Sequence, residues 1–136
     1  MKHIKVALAV ITNENKTQVL LTQRYDPSHP TVHLNWQLPG GGLKPKESLA
    51  NACVREAYEE TGMNIRLIKQ EPSVIHSYFE GTDFALHGFL AEAISGTINS
   101  ELDEETADVK WVEIANVGNL RTMLDTNRMI ELCVKL

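Results

Sequence analysis

The chain has 136 residues, the usual length of one domain, and its contents of 43% hydrophobic and 23% charged residues are typical of a folded globular protein. This composition excludes a disordered chain and a fibrous repeat. The net charge of −5 argues against a protein that binds long nucleic acids, because such proteins carry a basic face. An acidic chain that handles phosphates needs positive charge from elsewhere, for example from a bound metal ion.

Two features of the sequence bear on the compartment of the protein. Cys53 and Cys133 are too few for a disulfide framework and are expected as small core residues in a reducing cytosol. The longest apolar stretch near the start, residues 6–11, is far shorter than the ~18–20 residues that a membrane-spanning helix needs. It also lacks the cleavage pattern of a secretory signal. We therefore expect a cytoplasmic protein without membrane contact.

The first third of the chain predicts strands separated by turns. Residues 4–12 are apolar and β-branched, which favours a buried strand, and the polar residues 13–16 predict a turn. Residues 18–24 are typical of a second strand, so the two strands are expected to pair as a hairpin. Residues 26–35 contain two prolines and two histidines and predict a surface loop, followed by a short strand at 36–38.

Residues 47–61 are the strongest helix prediction in the sequence. The segment follows Pro45, is rich in alanine and glutamate, and ends before Gly62. A glycine at this point can adopt the left-handed conformation that closes a helix.

The second half of the chain predicts further strands, an acidic loop and one or two amphipathic helices, with Asp125 or Thr126 as a cap between them. The strands are expected at 64–69, 73–79, 84–94 and 110–114, the acidic loop at 101–108 and the helices at 120–136. Strands with one internal and one terminal helix predict one α/β (α+β) domain over residues 1–136, in which helices cover both faces of a mixed sheet.

Three glutamates of the predicted helix lie on one face. At 100° per residue, Glu56, Glu59 and Glu60 fall within one sector, because they are separated by three and four positions. Apolar residues precede them on the same face, and a second apolar side predicts that the helix is covered on both sides. The apolar residues on the glutamate face are Leu49, Ala52 and Cys53, and those on the second side are Ala50, Val54, Ala57 and Tyr58.

Clustered carboxylates repel each other, so a group of three requires a physical reason. At ~5 Å and an effective dielectric constant of ~20, each pair costs about 3 kcal/mol. A divalent cation removes this cost, and the hard oxygens of carboxylates suit Mg²⁺ or Mn²⁺. Arg55, adjacent in sequence, could orient one carboxylate through a two-pronged ion pair. The alternative is a solvated acidic face without a metal.

Residues 41–63, GGLKPKESLANACVREAYEETGM, resemble the Nudix box, G-x5-E-x7-R-E-U-x-E-E-x-G-U, in which U is a bulky apolar residue. All seven fixed polar and glycine positions agree, and a chance match at one start point has a probability of about 10⁻⁹ to 10⁻⁸. Ala57 is smaller than the usual U residue, which affects helix packing rather than chemistry. The preceding run WQLPGG, residues 36–41, is also similar to the approach to the box in this family.

The resemblance implies an enzyme that hydrolyses a nucleoside diphosphate linked to another group X, on an α/β/α sandwich with a mixed central sheet. A short chain resembles the MutT-like members, which cleave (d)NTPs to a monophosphate and pyrophosphate. Dinucleoside polyphosphates, ADP-sugars and RNA 5′ ends are alternative substrates. A nucleotide-sensing module without catalysis is the alternative from a different class. We expect a small-molecule nucleotide substrate and either a monomer or a homodimer.

The same resemblance assigns roles within the box. It implies an Mg²⁺ or Mn²⁺ cofactor. The implied metal ligands are Glu56, Glu60, Glu59 and the carbonyl of Gly41, the implied catalytic residues are Glu59, Glu56 and the orienting Arg55, and the implied outer or structural acid is Glu47. The helix azimuths favour Glu56 and Glu60 as inner ligands, with Glu59 acting through water.

Outside the box, family members often use one more acid from a loop. The acidic candidates are Glu101, Asp103, Glu104, Glu105 and Asp108, of which we favour Glu105 and then Glu104; a solvated acidic loop is the alternative. Arg24 could meet a substrate phosphate, although a surface charge is equally consistent. Trp36 and Tyr78 could stack on a base, with simple packing as the alternative for both.

Overall fold

In a computed structural model that describes residues 1–135, the chain forms an eight-stranded mixed sheet between two α-helices. The expected sandwich is thereby confirmed. The strands are β1 (Lys2–Thr12), β2 (Gln18–Arg24), β3 (Trp36–Gln37), β4 (Gly40–Gly42), β5 (Met63–Leu67), β6 (Ser73–Phe79), β7 (Thr82–Gly96) and β8 (Thr106–Glu113). The helices are α1 (Leu49–Thr61) and α2 (Thr126–Val134), with short 3-10 helices at Ser100–Leu102 and Ile114–Asn119.

Two long parallel strands, β1 and β7, form the centre of the sheet and pair from Lys2↔Thr82 to Thr12↔Glu92. Antiparallel neighbours flank them: β2 and β4 pair with β1, and β5 and β6 pair with β7. The predicted hairpin of β1 and β2 is confirmed. On the edge of β1 that faces away from β7, β2 pairs with the end of the strand and the glycines of β4 pair with its middle.

The side chains of β1 alternate between two cores. Ala7, Ala9 and Ile11 face α1, whereas Val10 faces α2. From α1, Ala52, Cys53 and Ala57 join the first core; from α2, Met129, Ile130 and Cys133 join the second. Small residues on both sides of the first core let α1 approach the sheet closely.

Helix α1 starts two residues later than expected, because Ser48 acts as its N-cap and accepts a hydrogen bond from the Asn51 N–H at 3.1 Å. Gly62 closes the helix with φ 81°, as predicted. The predicted cover on the second side of α1 is wrong: Val54 and Tyr58 are exposed.

The end of the chain also differs from its prediction. The acidic loop is shorter, because residues 106–108 pair with β2 and belong to β8. Residues 120–125 are not helical, and α2 begins only after Asp125, whose φ is 67°. Residue 136, the last of the predicted helix, lies outside the described residues. Neither helix within residues 1–135 has the length and apolarity to cross a membrane.

Candidate active site

The predicted glutamates of α1 face the glycine strand β4. Glu60 is only 6% exposed, and its Oε2 accepts a hydrogen bond from the Gly40 N–H at 3.3 Å. Its Oε1 is buried and has no hydrogen-bond partner within residues 1–135. A Cβ on Gly41 would lie 2.9 Å from the Glu56 carboxyl carbon. Glycine at 41 is therefore what lets the Glu56 carboxylate lie against the backbone of β4.

The Glu60 carboxyl is held in an environment that opposes its charge. Burial first, and then the adjacent Glu56 carboxyl and the negative charge of Asp103, raise its pKa well above the usual value. The Gly40 N–H acts in the opposite direction but is outweighed. A cation between these carboxylates would offset their mutual repulsion and favour the ionised form of Glu60.

Arg55 uses all five of its N–H donors within this cluster. Its Nε and Nη2 bind the two oxygens of Glu47 at 2.7 and 2.8 Å. Its Nη1 donates to Glu56 at 2.9 Å and to Glu59 at 3.1 Å, and Nη2 also donates to the Gly42 carbonyl at 3.2 Å. One guanidinium thus orients three glutamates and ties the helix to β4.

Glu47 is the two-pronged partner of this arginine. Hydrogen bonds from Arg55 and from the Lys44 N–H lower the pKa of Glu47 to about 2. Glu47 raises the pKa of Arg55 in turn. Glu47 therefore stays ionised and keeps the guanidinium in place.

An acidic pocket of about 430 Å³ opens in front of these groups. Its lining residues are Arg24, Gln37, Gly40, Gly41, Glu56, Glu59, Glu60, Leu102, Asp103 and Glu105. The structure therefore brings together Gly41, the three glutamates of α1, Glu105 and Arg24, all of which were expected near the site. Glu104 does not line this pocket.

Asp103 also lines the pocket, although it was not the preferred acid of its loop. Its two carboxylate oxygens accept hydrogen bonds from the Glu105 N–H at 3.1 Å and the Thr106 hydroxyl at 2.9 Å. Asp103 therefore shapes the loop, and Glu105 lines the pocket beside it.

The donor set of the acidic pocket fits a hard divalent cation. Within residues 1–135, no three histidine, cysteine, aspartate or glutamate side chains are already arranged as a metal cage. Mg²⁺ does not require one, since it binds through one or two carboxylates and keeps waters and substrate phosphates as its other ligands. The buried Oε1 of Glu60, which has no partner in the described part of the chain, and the adjacent Glu56 carboxylate could supply those protein ligands.

A second, larger cleft of about 470 Å³ adjoins the acidic pocket, and the two share Arg24, Gln37, Gly40 and Gly41. Its size is in the range of small-molecule sites. The apolar side chains that line it include Val6, Leu8, Val32, Leu38, Phe79, Phe84, Leu86, Met123 and Leu124, and the ionisable ones are Arg24, Asp26, His29, Glu80 and Asp125.

The two aromatic residues that were candidates for base stacking lie outside this cleft. Trp36 is 8% exposed and packs in the second core, on the α2 side of the sheet. The Lys110 ammonium lies 4.6 Å from its ring centre. Tyr78 is 62% exposed, whereas its neighbours Ser77 and Phe79 line the cleft. The alternation of β6 thus turns Tyr78 to the opposite face of the sheet.

The rim of the larger cleft carries an aspartate between two basic residues, an arrangement that sequence reasoning missed. Asp26 accepts hydrogen bonds from Arg24 at 3.2 Å and from His29 at 2.9 Å. The hydrogen bond with His29 lowers the pKa of Asp26, and the same contact raises the pKa of His29. The only related signal in the sequence was the presence of two histidines in the predicted loop.

Comparison with known proteins identifies the family. The NUDIX domain profile matches residues 1–132. The chain belongs to the Nudix family. This confirms the resemblance of residues 41–63 to the Nudix box, and it makes the chain a MutT-like Nudix hydrolase.

Individual relatives agree with this assignment. A Bacillus subtilis (strain 168) protein named as a candidate 8-oxo-dGTP diphosphatase is 34% identical over 122 residues, which cover 90% of this chain and 72% of that protein. A Nudix hydrolase structure from Nitrosomonas europaea has a TM-score of 0.80 at 24% identity, covering 96% of this chain and 87% of its own. A MutT Nudix hydrolase structure from Burkholderia pseudomallei has a TM-score of 0.77 at 22% identity. The match covers 99% of this chain and 100% of that structure's chain. At these identities, the two structures support the fold alone.

Proposed function

We propose that this Nudix hydrolase cleaves a nucleoside triphosphate, (d)NTP, to a monophosphate and pyrophosphate, with Mg²⁺ or Mn²⁺ as cofactor. The observation that carries the proposal is the pair of adjoining sites that share Arg24, Gln37, Gly40 and Gly41. The larger, mainly apolar cleft has the size for a nucleoside. The acidic pocket beside it suits a metal-bound phosphate chain.

The acidic pocket supplies ligands for the cation. In the proposed complex, Glu56, Glu60 and the Gly41 carbonyl bind it from α1 and β4, and Glu105 adds a ligand from the acidic loop. When bound, a divalent cation neutralises charge on the phosphate oxygens as the phosphorus is attacked. Arg55, itself held by Glu47, keeps the Glu56 carboxylate in place.

Glu59 is the proposed general base. Its side chain is 47% exposed, so water reaches it, and Arg55 holds its Oε1 at 3.1 Å. A water molecule then forms a bond to one phosphorus while the bond to the bridging oxygen breaks, and its proton passes to Glu59. Glu56 is an alternative acceptor, but its contacts with Arg55 and Glu60 favour a structural and ligand role.

Arg24 lies where the two sites meet, which suits a contact with the phosphate chain. Asp26 binds its Nε at 3.2 Å, and the Gln37 side chain accepts from its Nη1 at 3.5 Å. These contacts direct the guanidinium along the wall shared by both sites, where its charge offsets that of the substrate.

Asp125 supports a guanine-type base as the first substrate to test. It lines the larger cleft, and its carboxylate can only accept hydrogen bonds when ionised. A guanine edge offers two neighbouring N–H groups as donors. The Bacillus subtilis relative named for 8-oxo-dGTP is consistent with this choice.

Product analysis tests the proposal. Purified protein with Mg²⁺ or Mn²⁺ is incubated with dGTP, 8-oxo-dGTP, the other (d)NTPs, dinucleoside polyphosphates and ADP-sugars, and the products are separated by anion exchange. We expect monophosphate and pyrophosphate from a guanine nucleotide. Faster cleavage of a dinucleoside polyphosphate or an ADP-sugar would reassign the group X, and nucleotide binding without any turnover would favour the sensing module.

A further inference from the structure

Two separate segments each form part of the wall of the larger cleft. The loop between β2 and β3, residues 25–35, contributes Asp26, His29 and Val32. The segment before α2, residues 120–125, contributes Met123, Leu124 and Asp125. We call them the 25–35 loop and the 120–125 segment. A change in their relative position would change the shape of the cleft.

The side chain of Arg121 joins these two wall segments. Its Nε donates to the Asn35 side-chain oxygen at 3.0 Å, and its Nη2 donates to the His33 carbonyl at 2.8 Å. The backbone continues the link, because the Trp36 N–H donates to the Arg121 carbonyl at 2.8 Å. Asn35 is only 8% exposed, so without Arg121 its buried oxygen would lose a charged donor.

Both walls contain a residue in a left-handed backbone conformation. Leu34 and Asp125 each have a φ of 67°, which is unfavourable for residues other than glycine. Such conformations persist where surrounding contacts hold them. The Leu34 N–H donates to the Arg24 carbonyl at 2.7 Å, and Arg121 binds the residues on either side of Leu34.

The 25–35 loop is fixed at its other end to the acidic pocket. The Tyr25 N–H donates to the Glu105 carbonyl at 2.8 Å, and the Tyr25 ring packs edge-on against His33 at 5.3 Å. The loop therefore spans from the acidic loop to Arg121. Arg121 itself lines neither site and contacts none of the proposed metal ligands.

We propose that Arg121 is a positioning residue that fixes the separation of the two cleft walls, and thereby the affinity and base selectivity of the site. The inference rests on the proposed function only for the nature of the ligand. Fixing the walls before binding lowers the ordering cost of the complex. Because the chemistry takes place in the acidic pocket, Arg121 should influence KM and selectivity more than kcat.

The kinetic test compares Arg121→Gln and Arg121→Lys with a control, Arg66→Gln. Arg66 is an exposed arginine of β5 that pairs with Glu92 and lies outside both sites. Arg121→Gln should raise KM about ten-fold and leave kcat within about two-fold of wild type. It should also lower base selectivity, measured as kcat/KM for the preferred nucleotide divided by kcat/KM for a nucleotide with a second base. Arg121→Lys should be intermediate, because lysine lacks the planar fork that reaches both acceptors. The control should match wild type.

Amide hydrogen exchange tests the same link without nucleotide. In Arg121→Gln, amides of the 25–35 loop should exchange faster, whereas those of α1 should not change. Unchanged loop exchange, or faster exchange with an unchanged KM, would overturn the proposal, as would a fall in kcat alone. If wild type cleaves no nucleotide, the proposed function fails, and the exchange result still decides whether Arg121 holds the walls.

Discussion

At the scale of single residues, the site depends on one guanidinium that orders several acids. Arg55 has two hydrogen bonds to Glu47 and one each to Glu56, Glu59 and the Gly42 carbonyl. A lysine could satisfy some of these acceptors but not the planar, two-pronged contact with Glu47. The sequence predicted that Arg55 would orient a carboxylate, and it named Glu47 as an outer acid. It did not predict that the two would be partners, since eight positions of helix and cap separate them.

Arg55→Lys should therefore reduce kcat by about 10²-fold, the scale of a misplaced catalytic geometry. The affinity for Mn²⁺ should change much less, because the carboxylates that bind it remain. Steady-state kinetics and Mn²⁺ titration by electron paramagnetic resonance measure the two effects. An unchanged kcat would show that the Arg55 contacts are incidental to the reaction.

The Arg55–Glu47 pair also predicts a dependence of stability on pH. The pKa of Glu47 is about 2 in the folded protein, below its ordinary value of 4.5. As the pH falls, Glu47 is protonated in the unfolded chain before it is protonated in the folded protein. The ion pair therefore stabilises the fold fully above about pH 4.5 and loses this contribution between about pH 4.5 and 2. Urea unfolding of wild type and Glu47→Gln should show a stability difference at pH 7 that shrinks towards about pH 3. A difference that is constant with pH would contradict the pairing.

At the scale of elements, the site forms where α1, β4 and the acidic loop meet. The helix pattern predicted which glutamates share a face, because 3.6-residue periodicity is a local property. The position of the acidic loop could not be predicted in the same way. Its end is set by pairing of residues 106–108 with β2, a contact between segments about 85 positions apart in the sequence. This non-local pairing places the end of the loop directly after Glu105, which lines the acidic pocket, whereas Glu104 does not.

Adjacent glutamates of this loop provide a matched comparison. Glu105→Gln should lower kcat/KM by roughly ten-fold or more and weaken Mn²⁺ binding, because a charged ligand is lost. Glu104→Gln removes the same charge from the neighbouring position and should change both values by less than about two-fold, as expected for an exposed charge. Equal effects of the two substitutions would show that the loop acts only through its net charge.

At the scale of the whole molecule, the sheet sets the two sites side by side. The order of strands along most of the chain followed from composition and turns, and residues 41–63 were enough to predict the sandwich. The walls of the larger cleft were not predictable, since they come from irregular segments at 25–35 and 120–125. The two alternatives left open for Trp36, stacking on a base and packing, have the same origin: a tryptophan after a loop is suited to a cleft or a core, and tertiary packing decides between them.

Thermal melts of wild type and Glu60→Gln, in chelator and in saturating Mg²⁺, show whether the buried carboxylates beside β4 bind a divalent cation. Glu60 is buried, its Oε1 lacks a partner within residues 1–135, and Glu56 repels it. In chelator, Glu60→Gln should therefore be more stable than wild type by about 1–3 kcal/mol. Mg²⁺ should stabilise wild type much more than the variant. A variant that melts at or below wild type in chelator and gains equally from Mg²⁺ would show that these carboxylates form a solvated acidic face and do not bind the cation.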